Sequence, residues 1–334
     1  MTIFNAEHHN DGVECIVFSP DEKTFASMSV PIQEKIATMY ICDSETGHCI
    51  SGPFESKVKN PHCHGGYLDP DGNIFWPSAG NLQWSGTLGG VRSSLNLKPT
   101  ILPLFVMGRY RGRIASTHWD RDRTGVRVKL RDAGNGVLIS NELFKVTGVG
   151  TTRLSPNGRF LAIRRRSENP VELWNVEDGK DVQRFPCPSG TPLSLRFSPT
   201  SDSLVATFNP PDHICLWRLD TQAMASINLE AGYIPPAVVH LPSTDRLFIP
   251  RDDTVEVWEV SVTGSKMISK MDSPMTSRIN RICPSRDGRR LLVGCWNGSA
   301  MMWSLNAEDM AGDRPVAGNT QYNNRAPANH ALER

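Results

Sequence analysis

The stretch Thr151–Gly179, TTRLSPNGRFLAIRRRSENPVELWNVEDG, decides how the rest of the chain is read. Leu154 closes a first apolar run, and Ser155-Pro156-Asn157-Gly158 makes a tight turn. Phe160–Arg164 is a second run. After a polar loop, Val171–Asn175 is a third, which Glu177-Asp178-Gly179 turns again. Proline presets φ, and Asn, Asp and Gly accept turn geometry, so short apolar runs set apart by them spell an antiparallel meander.

The unit recurs. Aligned on Trp174, the equivalent positions are Cys42, Trp84, Arg131, Trp217, Trp258 and Trp303, and the steps across all seven are 42, 47, 43, 43, 41 and 45 residues. That spacing matches the ~40–45 residues of one four-stranded propeller blade. A second anchor stands upstream in most units: Phe18-Ser19-Pro20-Asp21, Leu68-Asp69-Pro70-Asp71-Gly72, Leu154–Gly158, Phe197-Ser198-Pro199, Leu241-Pro242-Ser243 and Cys283-Pro284-Ser285. The third unit lacks it, so its opening is placed near Leu104–Tyr110. The second is compressed, with Ile74–Trp84 for two strands. The expectation is an all-β fold over residues 1–306, a seven-bladed β-propeller of four-stranded antiparallel blades. Thr2-Ile3-Phe4 precedes the first hairpin as Val182–Phe185 precedes the fifth unit's. Thr2–Asn5 is therefore expected to be the outer strand of the seventh blade, closing the ring and removing a free edge. Residues 307–334 are polar and aperiodic, and a disordered tail is expected there.

Composition bounds the function. Of 334 residues 39 % are apolar and 21 % charged, a globular balance. The formal charge is +1, from 36 basic and 35 acidic side chains, so no global field favours polyanions. The N-terminal MTIFNAEHHNDGVE has no basic start and no apolar core, so no secretory signal is expected. Apolar runs as short as Ile101–Met107 fall far below the ~20 residues that span a bilayer. Eight scattered cysteines without a CxxC pair suggest reduced thiols and a cytoplasmic or nuclear setting.

Motifs for chemistry are few. In His62-Cys63-His64, neighbouring residues of an extended segment face opposite ways, so one ion reaches the two histidines but hardly Cys63. A structural zinc site needs four ligands, and no metal or cofactor is expected. No GxSxG, HExxH or P-loop sequence occurs, and His8, His9, His118, His213, His240 and His330 lack a carboxylate at a telling spacing. Propeller enzymes gather repeated polar residues at the starts of their inner strands, and no such repetition is read here. A non-catalytic role is the expectation.

Binding residues are sought in loops, where a rigid scaffold presents side chains. The candidates are Arg164, Arg165 and Arg166, in a loop Arg164–Pro170; Arg121 and Arg123 in the basic third unit; His213 closing a loop Asn209–His213; Arg251 opening a loop Arg251–Thr254; and Trp296, which lies off the tryptophan register beside Asn297-Gly298. Acidic neighbours Asp120, Asp122, Asp132 and Glu168 dilute the basic patch. The expected partner of this monomeric ring is a protein or peptide. Nucleic-acid or phosphoinositide reading through the arginines is the alternative, and a propeller enzyme the second.

The pattern [FL]-S-P-[DN]-G…[VI]-x-[VL]-W-x-x-x-x-G resembles the WD-repeat β-propeller family over residues 1–306, most closely at Trp174, Trp217, Trp258 and Trp303. The chain departs from it where Asn175, Arg218, Glu259 and Ser304 follow those tryptophans in place of Asp, and Trp119-Asp120 is off register. The family's hydrogen-bond lattice is therefore incomplete, and apolar packing is expected to hold the blades. The segments 109–116, 194–204 and 262–267 with VELWNVEDG are similar to degenerate WD-repeat proteins of mushroom-forming fungi. The resemblance implies an interaction module, of the kind that follows a NACHT domain in immune-like receptors.

Overall fold

In a computed structural model, the structure describes residue 9 and residues 11–19, 21–31, 36–57, 67–68, 74–78, 81–85, 95–97, 107–110, 113–119, 125–132, 138–147, 149–165, 170–187, 191–209, 213–229, 237–241, 244–274 and 277–305. Every regular element among them is a β-strand, and they form seven antiparallel sheets in chain order.

Sheet one holds β1 (Val13–Phe18), β2 (Thr24–Ser29), β3 (Ile36–Asp43) and β4 (Cys49–Lys57). Sheet two holds β5 (Tyr67–Leu68), β6 (Ile74–Ser78), β7 (Asn81–Ser85) and β8 (Leu95–Leu97). Sheet three holds β9 (Met107–Tyr110), β10 (Arg113–Trp119), β11 (Gly125–Asp132) and β12 (Leu138–Thr147). Sheet four holds β13 (Val149–Leu154), β14 (Phe160–Arg165), β15 (Val171–Asn175) and β16 (Asp181–Phe185). Sheet five holds β17 (Thr191–Phe197), β18 (Ser203–Asn209), β19 (His213–Arg218) and β20 (Met224–Asn228). Sheet six holds β21 (Val239–His240), β22 (Arg246–Arg251), β23 (Thr254–Ser261) and β24 (Gly264–Asp272). Sheet seven has β25 (Ile279–Pro284), β26 (Arg290–Cys295) and β27 (Ala300–Ser304). Strands pair in sequence order throughout, the simplest meander.

The alignment on Trp174 survives as geometry. Cys42, Trp84, Arg131, Trp174, Trp217, Trp258 and Trp303 each lie on a third strand, opposite Phe25, Phe75, Ile114, Leu161, Leu204, Leu247 and Leu291 of the second. Sheet three opens at Met107, within the segment expected from sequence, and the compressed sheet two fits its strands into 67–97.

The second strands β22 and β26 hold apolar runs because both of their faces are buried. In β26, Leu291 and Val293 join the core shared with sheet six, while Leu292 joins the one shared with sheet one. In β22, Leu247 and Ile249 face sheet five and Phe248 faces sheet seven. In β18, Leu204 and Ala206 face sheet four and Val205 faces sheet six. Period-two alternation thus feeds two cores from one strand. Sheets four, five, six, seven and one stack face to face in that order, so the first and last described sheets are neighbours. Their first strands lie side by side: β13 by β17, β17 by β21, β21 by β25, β25 by β1 and β1 by β5.

Polar straps reinforce the junction of sheets one and seven. Asn280 Nδ2 donates to the Val13 carbonyl at 2.8 Å, Arg281 pairs with Glu14 at 2.9 Å, and Arg290 pairs with Glu22 at 2.8 Å. Thr2–Asn5, the His62-Cys63-His64 segment and residues 307–334 lie outside the described residues. No helix among the described residues is long and apolar enough to cross a membrane.

Candidate functional site

A serine builds each of four first hairpins. The Ser19, Ser155 and Ser285 hydroxyls donate to Asp21 (2.7 Å), Asn157 (2.7 Å) and Asp287 (2.5 Å) two residues on, and Ser198 donates to Asp202 at 2.6 Å. Each hydroxyl also accepts the amide five residues on, from Thr24 (3.0 Å), Phe160 (2.9 Å), Ser203 (3.2 Å) and Arg290 (2.9 Å). A short polar side chain that bonds nearby backbone is what stabilises such turns. Between the burial that raises them and the hydroxyl bonds that lower them, the Asp202 and Asp287 carboxyls end up below the usual carboxylate range.

Five residues before each serine, at Glu14, Gly150, Leu193 and Asn280, the ladder of the first strand skips one residue. A bulge of this kind bends the strand and re-aims the side chains beyond it. Between bulge and turn, the residues two before each turn position form a ring: Val17, Arg153, Arg196, Val239 and Cys283. All five line a cavity of about 300 Å³ among the first strands, at the mouth where the first hairpins gather.

The cavity wall is mostly apolar, from Phe18, Leu154, Phe197 and Ile282, with Arg153 and Arg196 on adjacent sheets. Arg281 stands two residues deeper on β25. Its guanidinium holds Glu14 Oε2 at 2.9 Å, the Glu14 carbonyl at 2.8 Å and the Asn280 carbonyl at 2.8 Å. Arg153 Nε donates to the Leu195 carbonyl at 3.1 Å, locking the Arg153 stem across two sheets. Burial pushes the Arg196 pKa down to about 9, with the charges of Arg153 and Arg281 adding to the push. Burial lowers Arg153 as well, and Arg281 adds to it. With a pKa of about 9, Arg196 stays protonated at neutral pH. Burial drives the neighbouring Cys283 thiol up to about 11, so it is no nucleophile there.

The sequence reading looked for repeated polar residues at the starts of the inner strands and passed over a repeat near their ends. Arg153 and Arg196 repeat at the same place before Ser-Pro, in RLSPNG and RFSPTS. The signal was visible in those hexapeptides. Arg281 carried none, because it sits two residues out of that frame.

The sequence-derived candidates lie at the opposite face, along the ends where second strands pass to third. Arg164 and Arg165 do not belong to a loop: both end β14, with Arg164 paired to Val171 and Thr151, because the ladder continues on both sides. Arg165 binds Glu172 at 2.7 Å and the Thr147 carbonyl at 2.8 Å, a structural commitment. His213 opens β19 and is buried at 7 % exposure, with Nδ1 against Asn228 Oδ1. Arg251 ends β22, pairs with Glu256 at 3.3 Å, and leaves only Asp252-Asp253 as turn. Trp296 is exposed at 46 %. These residues follow an arc over successive sheets and do not converge on one point. Arg121, Arg123 and Arg166 lie outside the described residues.

No curated protein matches the chain. Residues 265–304 match the family model described as WD domain, G-beta repeat. That match covers nearly all of β24, the outer strand of sheet six, and then β25, β26 and β27 of sheet seven. The repeat is therefore one strand out of step with the sheets. The chain carries a WD40 repeat, set in an all-β fold of successive antiparallel sheets.

Proposed function

We propose that the seven sheets form one closed seven-bladed propeller, which acts as a non-catalytic platform for a partner protein or peptide. Proteins built on WD40 repeats are commonly interaction scaffolds, and the out-of-step repeat supports closure. Each unit lends its outer strand to the sheet before, so sheet seven, with three described strands, takes its fourth from the other end of the chain, at Thr2–Asn5. The similarity to fungal WD-repeat proteins makes the sensor end of a NACHT-type receptor the natural setting.

The observation that carries the binding reading is Trp296. Its indole is exposed while its backbone is pinned: the Trp296 amide donates to the Arg278 carbonyl at 2.9 Å and the Asn297 amide to Ser277 Oγ at 3.1 Å. Gly298 follows at φ 85°, where a Cβ would lie 2.2 Å from the His9 carbonyl oxygen, so only glycine closes this turn. A rigid exposed aromatic loses little entropy on binding, and tryptophan is enriched among interface hot spots. The nucleic-acid alternative loses support, because Arg165 is committed to Glu172.

The test uses wild type and Trp296→Ala as baits. Proteins held by wild type should be released by the variant, with both unfolding at the same denaturant midpoint. Identical retention by the two would refute the anchor.

A further inference from the structure

The cavity at the first-hairpin mouth has a chemistry of its own. Arg153 and Arg196 reach it from adjacent sheets at one ring position, and Arg281 stands behind them. Of the described carboxylates, Glu14 lies on Arg281 at 2.9 Å, and Glu22 at the lip lies on Arg290 at 2.8 Å and accepts the Arg286 amide. The collar above the guanidinium groups is apolar. We propose that this mouth is an oxyanion socket, seating the phosphoryl or carboxylate head of a partner's side chain while Phe18, Leu154, Phe197 and Ile282 pack its apolar stem.

Three features support the assignment. The guanidinium fork matches carboxylate and phosphoryl oxygens in two-point bonding, which an ammonium does not. The lining is mostly apolar, so each charge contact acts at a lower effective dielectric than on an open surface. The volume, about 300 Å³, accommodates one side chain. Burial lowers the Arg196 pKa, and the charges of Arg153 and Arg281 that add to it are what a bound anion would offset. The face is opposite to that of Trp296, so the two contacts are separate. The inference rests on the platform reading for its partner, although the socket can be measured without one.

Phenyl phosphate and benzoate are titrated into the full chain at constant ionic strength, with sodium chloride as reference. One of them should raise the melting temperature saturably, by about 2–4 °C at ten times its Kd. A stronger response to phenyl phosphate assigns a phosphorylated side chain, and a stronger response to benzoate an acidic one. The Arg153→Gln/Arg196→Gln variant should lose the response, and Arg159→Gln/Arg184→Gln, on exposed positions, should keep it. Arg153→Lys/Arg196→Lys, which keeps charge but not the fork, should bind several-fold more weakly. In wild type, phenyl phosphate should also slow amide exchange at β13 and β17 but not at β16 or β20, a readout independent of variant folding. A response no larger than that to sodium chloride, or an undiminished one in the Gln variant, overturns the socket. Failure here leaves the Trp296 experiment standing, and the reverse also holds.

Discussion

Glu172 and Glu256 stand two residues before Trp174 and Trp258, and each carboxylate serves an arginine and an indole at once. Glu172 accepts Arg165 Nε at 2.7 Å and Trp174 Nε1 at 2.8 Å; Glu256 accepts Arg251 Nη1 at 3.3 Å and Trp258 Nε1 at 3.0 Å. Burial works to raise the Glu172 pKa, but the bonds from Arg165 and Trp174 outweigh it and hold the carboxyl below its usual range. Glu172→Gln keeps the shape and removes the charge facing Arg165. Stability should fall by about 1–3 kcal/mol, read from the urea midpoint. Trp217 and Trp303 follow Cys215 and Met301 instead. They are buried, with no hydrogen-bond partner on the indole N–H, and Trp217 stacks on Phe185 at 5.2 Å. All four were legible as register marks. Their division into two kinds was not, because it depends on whether the residue two before can reach an arginine on the neighbouring strand.

At the scale of the element, the first hairpins depend on a left-handed residue three after the turn serine. Gly158 and Gly288 hold it at φ 68°, while Glu22 and Ser201 adopt 57° and 63°. Gly288→Ala would be strained by its φ, and its Cβ would press on Leu241 Cγ at 3.3 Å. A loss of about 1–2 kcal/mol is expected, measured by denaturant unfolding. Glu22 accepts the same strain and in exchange straps sheet one to Arg290 of sheet seven. Pro, Asp, Asn and Gly disclosed these turns in the sequence. The part played by serine was not disclosed, since a hydroxyl looks the same whether it faces water or closes a cage. Strand ends were also less legible than strand centres: Arg164 and Arg165 read as loop because they are charged, yet Arg164 has ladder partners on both sides and Arg165 pairs with Val149.

For the whole molecule, acid and alkali should both destabilise, through different groups. Burial, with Arg218 close by, holds the His240 pKa below its ordinary value, between Ser203 Oγ at 2.8 Å and the Thr244 carbonyl at 2.8 Å. The unfolded ring takes a proton that the folded one resists, so stability should decline as pH drops below about 6.5. Glu172, Asp202 and Asp287 are depressed carboxylates. Their contribution is complete above the unfolded value of about 4 and is lost as pH falls through the lower folded values. Burial raises Cys42 and Cys215 to about 12. Unfolded thiols ionise first, so stability should also fall as pH climbs above about 9. Melting temperatures from pH 3 to 10 should therefore trace a dome with a shallow acid shoulder, and His240→Gln should remove the shoulder. A profile with no fall between pH 6.5 and 5 in wild type would contradict the His240 assignment.

The sequence by itself determined the beat: where each strand pair turns, which residue sits at the end of each third strand, and which short apolar runs become strands. Those are local properties, set by φ preferences and period-two alternation, and they can be read one unit at a time. Only the tertiary structure decided which charges meet. Arg153, Arg196 and Arg281 are 43 and 85 residues apart in the chain, yet Arg153 and Arg196 line one cavity and Arg281 lies close enough to act on both, because the first strands of successive sheets lie side by side. Arg165 and Arg251, which looked like surface cations, are held by glutamates on the next strand. Coulomb interaction depends on distance through space, and a linear reading does not contain that distance.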